Sequence, residues 1–246
     1  MDYVNSVELI FLEEQEFVIK INSIKKMYGS KTIIKNWQCT LENGKIYGLI
    51  GRNGIGKTTL MKCICGLCEA DESEIYTENG NVSKLDYLTR NIYYISDEPV
   101  YYNDLTLYEH LWIVCKAEGY KKDIAAEKIQ DLVSKYKMSE YLHFYPPAMS
   151  KGTLQRMMLM IGFLKNTQNL LLDEPFNGLD PIQLKQSLDY CKWNKVNKCI
   201  LISSHDIESL KEVCDAYLIF TKDGIIEIDE EIDRERVNAM IGDSYD

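Results

Sequence analysis

The chain has 246 residues, room for one large domain or two small ones, and its 46% hydrophobic content excludes a disordered polymer and is ample for a buried core. Acidic residues outnumber basic ones 38 to 28, a formal charge of −10, which argues against a protein that wraps nucleic acid. The start MDYVNSVELIFLEEQEF lacks a basic stretch leading into a long apolar one, and no run of about eighteen apolar residues occurs, so a cytoplasmic chain that reaches a membrane only through a partner is expected.

Residues 8–50 contain short alternating or β-branched runs, FVIKI and TIIKNW among them, separated by the turn clusters YGS and ENG, and this predicts an antiparallel layer. KIYGLI then reads as a strand and TTLMKCICGL as a helix. Cys63, Cys65 and Cys68 fall on that helix, where small buried thiols are ordinary packing and a metal site is the lesser alternative. The eight cysteines form no compact disulfide framework and suit a reducing compartment. RNIYYIS predicts another strand, with Asp97 just past it. From Leu105 to about Leu164 the apolar spacing becomes three and four, in LTLYEHLWIVCKAEGY and DIAAEKIQDLVSKYK, which predicts a helical insertion. After Asn169 come LLLD, CILIS and AYLIF, short apolar strands with helical segments between them, as a mostly parallel α/β sheet requires. The acidic tail DEEIDRERVNAMIGDSYD is partly helical in pattern and carries no motif.

Four stretches carry chemistry. GRNGIGKT, Gly51 to Thr58, fits G-x-x-x-x-G-K-[ST] between a strand and a helix. Its glycines turn backbone N–H groups around phosphates, the helix start adds partial positive charge, Lys57 a full one, and the Thr58 hydroxyl is a magnesium ligand. A glycine turn before a core helix is the plainer alternative. LLLDEP ends a strand on Asp173, placed to hold the metal's water shell, with Glu174 next as general base for an attacking water; an acidic pair opening a helix before Pro175 is the alternative. CILISSHD puts His205 past another strand, placed to meet a terminal phosphate and orient Glu174, a placement that His110 and His143 lack. In AMSKGT, Ser150 and Gly152 open an apolar helix as a second anion site or as a serine N-cap.

GRNGIGKTT, AMSKGT, LLLDEP, NGLDP and SSHD, in that order and spacing, resemble the nucleotide-binding subunit of ABC transporters over nearly the whole chain, in phrasing similar to bacterial exporters of drugs, antimicrobial peptides or other small molecules. The resemblance implies an α/β P-loop NTPase core with a mostly parallel sheet, an N-terminal antiparallel β layer and an inserted α-helical subdomain, with 1–97 and 168–246 as core and 98–167 as insert of one domain. It implies ATP and Mg2+ as ligands, held by Gly51, Asn53, Gly54, Gly56, Lys57, Thr58 and Thr59, with Tyr28 stacking the adenine. Two such subunits, identical or paired, would meet head to tail, so that Ser150 and Gly152 cap the partner's ATP while Asp180 lines the interface. A polytopic membrane permease would be driven through the insert, whose aromatic run VYYNDLTLYEHLW either docks that permease or fills the insert's core. A regulatory ATPase without a permease, or a chain that binds without hydrolysing, are the rival readings.

The chain departs from the family pattern in four places. Asp97 stands where a glutamine usually touches magnesium or the lytic water, and it joins Thr58 and Asp173 as a candidate magnesium ligand, although its charge is unfavourable beside a triphosphate unless the metal screens it; this implies slow hydrolysis or a different coupling to the permease. Lys151 replaces a glycine and Thr153 a glutamine of the signature, and Phe176 replaces a threonine.

Overall fold

The computed structural model describes residues 17–86 and 89–242. Two sheets divide the chain. In the first, β1 (Phe17–Tyr28) pairs antiparallel with β2 (Lys31–Ile34), β3 (Cys39–Glu42) and β5 (Glu72–Thr77), and β5 pairs with β6 (Gly80–Asn81). The second has six strands in the order β11-β10-β4-β9-β8-β7. Its members are β4 (Ile46–Ile50), β7 (Ile92–Ile95), β8 (Asn169–Asp173), β9 (Cys199–Ser203), β10 (Ala216–Phe220) and β11 (Ile225–Ile228), parallel except for the β10–β11 pair.

Every residue of β4, β8, β9 and β10 is buried, as a parallel sheet covered on both faces demands. Their side chains alternate between two cores. Leu171, Leu201 and Leu218 face the antiparallel layer across α1 (Lys57–Ile64), whose Leu60, Met61 and Ile64 complete that core. Leu170, Leu172, Ile200, Ile202 and Ile219 point the other way, into a larger core built on α2 (Leu107–Ala117), α3 (Lys122–Lys135), α4 (Lys151–Leu164), α5 (Pro181–Asn194), α6 (Ile207–Lys211) and α7 (Arg234–Ile241).

The expected antiparallel layer is real but misses one strand. Ile46–Ile50 sits in the middle of the parallel sheet instead, because an all-apolar strand needs cover on both faces, which only that sheet offers. The layer recruits residues 72–81 in its place, and residues 8–16 lie outside the described part. Between β7 and β8 the three helices α2, α3 and α4 pack on one another. Thr106 starts α2 with a capping box closed by Glu109. His110 is a core residue there, its Nδ1 on the Thr106 carbonyl and its Nε2 accepting from the Tyr102 amide.

Register brings the sheet's carboxyl ends to one level: Leu49 pairs with Ser203, Ser203 with Asp173, and Leu172 with Ile95. The loops leaving β4, β8, β9 and β7 therefore open at the same edge, where ligands of open α/β sheets bind.

Candidate nucleotide site

The loop from β4 to α1 is shaped by glycines. A Cβ on Gly51 would lie 2.8 Å from the Phe220 Cβ, and one on Gly56, at φ 128°, would lie 2.4 Å from the Ile33 Cγ2. No other residue fits either place. No side chain caps α1, whose N-cap is Gly56, so its first turn, which carries Thr58 and Thr59, presents its dipole toward the loop. Asn53 and Gly54 lie exposed on the outer bend. Lys57 is buried, its ammonium donating to the Gly51 carbonyl at 2.8 Å and lying 3.7 Å from Glu174 Oε1. Burial pushes its pKa below the usual lysine value, and the charges of Glu174 and Asp173 oppose that shift. An amine held partly desolvated over a glycine loop is matched to an anion with several oxygens.

The two acids are fixed by one serine. Asp173 is fully buried at the end of β8; its Oδ1 accepts from the Ser203 hydroxyl at 2.5 Å and its Oδ2 from the Tyr94 hydroxyl at 2.9 Å. The Ser203 hydroxyl also accepts from the Glu174 amide at 2.9 Å. Glu174 sits at φ 46°, a left-handed conformation that costs a non-glycine residue about 1–2 kcal/mol, and this second bond helps hold it there. Its carboxylate spans two cations or donors, Lys57 on Oε1 and the His205 Nδ1 at 2.9 Å on Oε2. Lys57, Asp173, Glu174 and His205, singled out by motif, thus form one cluster. Ser203 and Tyr94 were not singled out. Burial and the neighbouring Asp173 raise the Tyr94 hydroxyl's pKa, so it remains a donor at neutral pH.

The oxygen-only donor set of Thr58 and Asp173 suits magnesium, and each Asp173 oxygen, having accepted one hydrogen bond, keeps a lone pair for a metal-bound water. Asp97 lies exposed past β7, and its Oδ1 accepts from the Glu98 amide. None of its described hydrogen bonds reaches the cluster, although its charge is felt at Tyr94.

The remaining candidates sit apart from that cluster, and none of their described hydrogen bonds reaches it. Ser150 is the N-cap of α4, accepting from the Thr153 amide at 3.2 Å and sharing a bond with its hydroxyl at 2.9 Å. Gly152 is buried against the loop before α5: a Cβ there would be 2.5 Å from the Gly178 carbonyl. Asp180 caps α5 through the amides of Ile182 and Gln183, both at 2.9 Å. Lys151 is exposed in the first turn of α4, which holds no acidic residue. Tyr28, at the end of β1, is 55% exposed, with the Lys26 ammonium 5.0 Å from its ring centroid and the Cys68 thiol 3.9 Å from its hydroxyl. Of the three cysteines expected on the helix, only Cys63 lies within α1; Cys65 is its C-cap and Cys68 follows a left-handed Gly66. Among the described residues no cluster of three metal-ligating side chains occurs.

Residues 34–177, more than half of the chain, match the family model described as ABC transporter. The chain is 33% identical over 204 residues to the ABC-type transporter ATP-binding protein EcsA of Bacillus subtilis, covering 80% of this chain and 82% of EcsA. It is 31% identical over 217 residues to the lantibiotic transport ATP-binding protein SrtF of Streptococcus pyogenes, covering 88% and 92% of the two chains. A solved structure described as the ATP binding subunit of an ABC transporter superimposes with a TM-score of 0.81 at 26% identity, over 92% of this chain and 95% of that one. With the phosphate-type loop, the buried aspartate and the glutamate–histidine pair at one sheet edge, these likenesses place the chain in the ABC transporter family, as an ATP-binding subunit.

Proposed function

We propose that the chain hydrolyses MgATP and uses the cycle to drive a separate membrane permease that exports a peptide, drug or other small molecule. The observation that carries this reading is the Glu174 carboxylate held between Lys57 and His205 at the mouth of the glycine loop. ATP phosphates would take the place of the Gly51 carbonyl and the Glu174 oxygen around the Lys57 ammonium. Glu174, released from Lys57 and still oriented by His205, would accept a proton from the attacking water, and the imidazole would meet the terminal phosphate. Thr58 and Asp173 would hold magnesium, which supplies neutralisation of the charge building on the phosphate oxygens. The bonds that Tyr94 and Ser203 make to Asp173 would fix that carboxylate for this role.

The completed site would be shared by two subunits. The α4 start, with its partial positive charge, exposes Ser150 over the buried Gly152 and has no acid in its first turn, which favours a partner's terminal phosphate and loses that favour on hydrolysis. Asp180 would line the same interface, and the exposed Tyr28 ring would stack the adenine.

The permease would meet the insert. The run from Val100 to Trp112 divides in two: Leu107 and Leu111 are fully buried, whereas Val100 is 74% and Tyr102 70% exposed, with Tyr108 and, just outside the run, Ile113 and Tyr145 exposed as well. Such an apolar surface favours docking over core filling. Among the described residues no helix is long and apolar enough to cross a membrane, so transport through this chain needs a partner that does. SrtF, named for lantibiotic transport, supports a peptide-like cargo.

Two measurements test the reading. Glu174→Gln should abolish phosphate release yet run as a dimer with ATP and a monomer with ADP in size exclusion, and Ser150→Arg should block the shift. Phosphate release unaffected by Glu174→Gln refutes the base assignment. Tagged chain extracted in mild detergent should bring a polytopic membrane protein with it; recovery alone favours a regulatory ATPase.

A further inference from the structure

We propose that Cys63 and Cys68 are a redox-active dithiol that closes to a disulfide and thereby weakens nucleotide binding at Tyr28; the second half of this inference rests on Tyr28 stacking the adenine. The chain folds back after α1. Gly66 takes φ 71°, and the amides of Leu67 and Cys68 both return to the Lys62 carbonyl, at 2.8 and 3.0 Å. That carbonyl is bonded to the residue bearing Cys63, so the two cysteines stand side by side although five positions apart in sequence. Both line the same cavity of about 310 Å3, together with Glu69, Ser73 and Arg90. Cys65 is excluded from the pair: it is fully buried and its thiol donates to the Lys62 carbonyl.

The two thiols differ as a reactive pair should. Cys68 is half-buried at the cavity wall, so it is reachable from solvent. Cys63 is buried, and burial pushes its thiol up to about 12, with Lys26 opposing the shift. A peroxide would therefore oxidise Cys68 first. The Cys68 thiolate attacks one oxygen of hydrogen peroxide, breaking the O–O bond to give a sulfenic acid and hydroxide. The Cys63 sulfur then displaces the sulfenic hydroxyl, which leaves as water with the Cys63 proton. In sum two thiols and one peroxide give a disulfide and two waters.

The consequence reaches Tyr28 because the segment from Cys68 to Asp71 anchors the end of β1. The Cys68 thiol meets the Tyr28 hydroxyl, the Glu69 carbonyl holds Lys26 under the Tyr28 ring, and the Asp71 carboxylate accepts from the Met27 amide at 2.6 Å. Drawing the Cys68 sulfur to bonding distance of Cys63, about 2 Å, removes the first contact and displaces the other two.

The full chain, reduced or treated with hydrogen peroxide and then quenched, is digested without reductant and mapped by mass spectrometry, while binding of a fluorescent ATP analogue is measured on the same samples. A Cys63–Cys68 cross-linked peptide, reversed by dithiothreitol, is expected, with affinity falling at least about fivefold on oxidation, the loss of roughly one stacking interaction. Cys63→Ala, which leaves the Cys68–Tyr28 contact in place, should bind the analogue as the reduced protein does and be insensitive to peroxide; Tyr28→Ala should make affinity independent of peroxide while the cross-link still forms. Absence of the cross-link, or a cross-link with unchanged affinity, overturns the inference. Failure of the reduced protein to bind the analogue at all would instead sink the nucleotide reading, leaving the peptide map to decide the dithiol.

Discussion

Replacing Ser203 by alanine removes one hydroxyl and two contacts at the centre of the site. The oxygen is buried, donates to Asp173 at 2.5 Å and accepts from the Glu174 amide at 2.9 Å. The amide keeps a longer bond to the Ser203 carbonyl at 3.2 Å, so the principal loss is at the carboxylate. A hydrogen bond to a buried charged group is worth about 1.5–3 kcal/mol, and the small void left by an oxygen adds little. A loss of about 2 kcal/mol lowers the melting temperature of a chain this size by about 4–8 °C. Among the described side-chain hydrogen bonds Asp173 would then keep only that from Tyr94, and, with Asp173 holding magnesium as proposed, loosening its support costs about 10- to 100-fold in activity or metal affinity. Ser204→Ala is the control, since that hydroxyl accepts from the Asp206 amide and touches neither acid. Differential scanning fluorimetry with and without MgATP, alongside phosphate release, reads both effects. A Ser203→Ala protein that melts within about 1 °C of wild type and turns over normally refutes the claim that this serine organises the acids.

Three further perturbations follow from single observations. Gly152→Ala should cost about 1–3 kcal/mol in urea unfolding, because its new methyl meets the Gly178 carbonyl at 2.5 Å; a neutral result means the two loops separate freely. Burial and the nearby Lys128 hold Lys198 down to about 8 from the usual 10.5, so the folded state loses that proton first: the penalty is complete below pH 8 and stability rises between about 8 and 10.5. Lys198→Met should flatten that part of the urea-midpoint curve, and parallel curves for the two proteins would be the contrary result. Asp97→Gln should raise phosphate release by about two- to fivefold with no change in melting temperature, since Asp97 is exposed and an amide oxygen still accepts from Glu98; slower release would show that the carboxylate helps.

What the sequence disclosed was whatever local spacing encodes. The glycine loop between strand and helix, the aspartate closing an apolar strand and the histidine past the next one each follow from a handful of adjacent residues. The supporting residues did not, because their partners are remote: Tyr94 reaches Asp173 across 79 positions and Ser203 reaches it across 30. Ser203 ends an apolar strand in line with Asp173, so it was visible in CILISS once the pairing of β8 with β9 was known. The placement of Ile46–Ile50 needed the same knowledge, since an apolar run reads alike in either sheet. Helical spacing also failed to separate exposed from buried apolar residues in the insert, where Tyr102 and Leu107 belong to one run yet lie outside and inside it.

The contact between Gly152 and the Gly178 carbonyl joins the first turn of α4 to the loop ahead of α5 with nothing but backbone between them. Two stretches from different parts of the chain therefore make one stiff rim. A push arriving on the helices of the insert that tilts Ser150 toward the loop would press on Gly178 and so reach Asp180 two residues on.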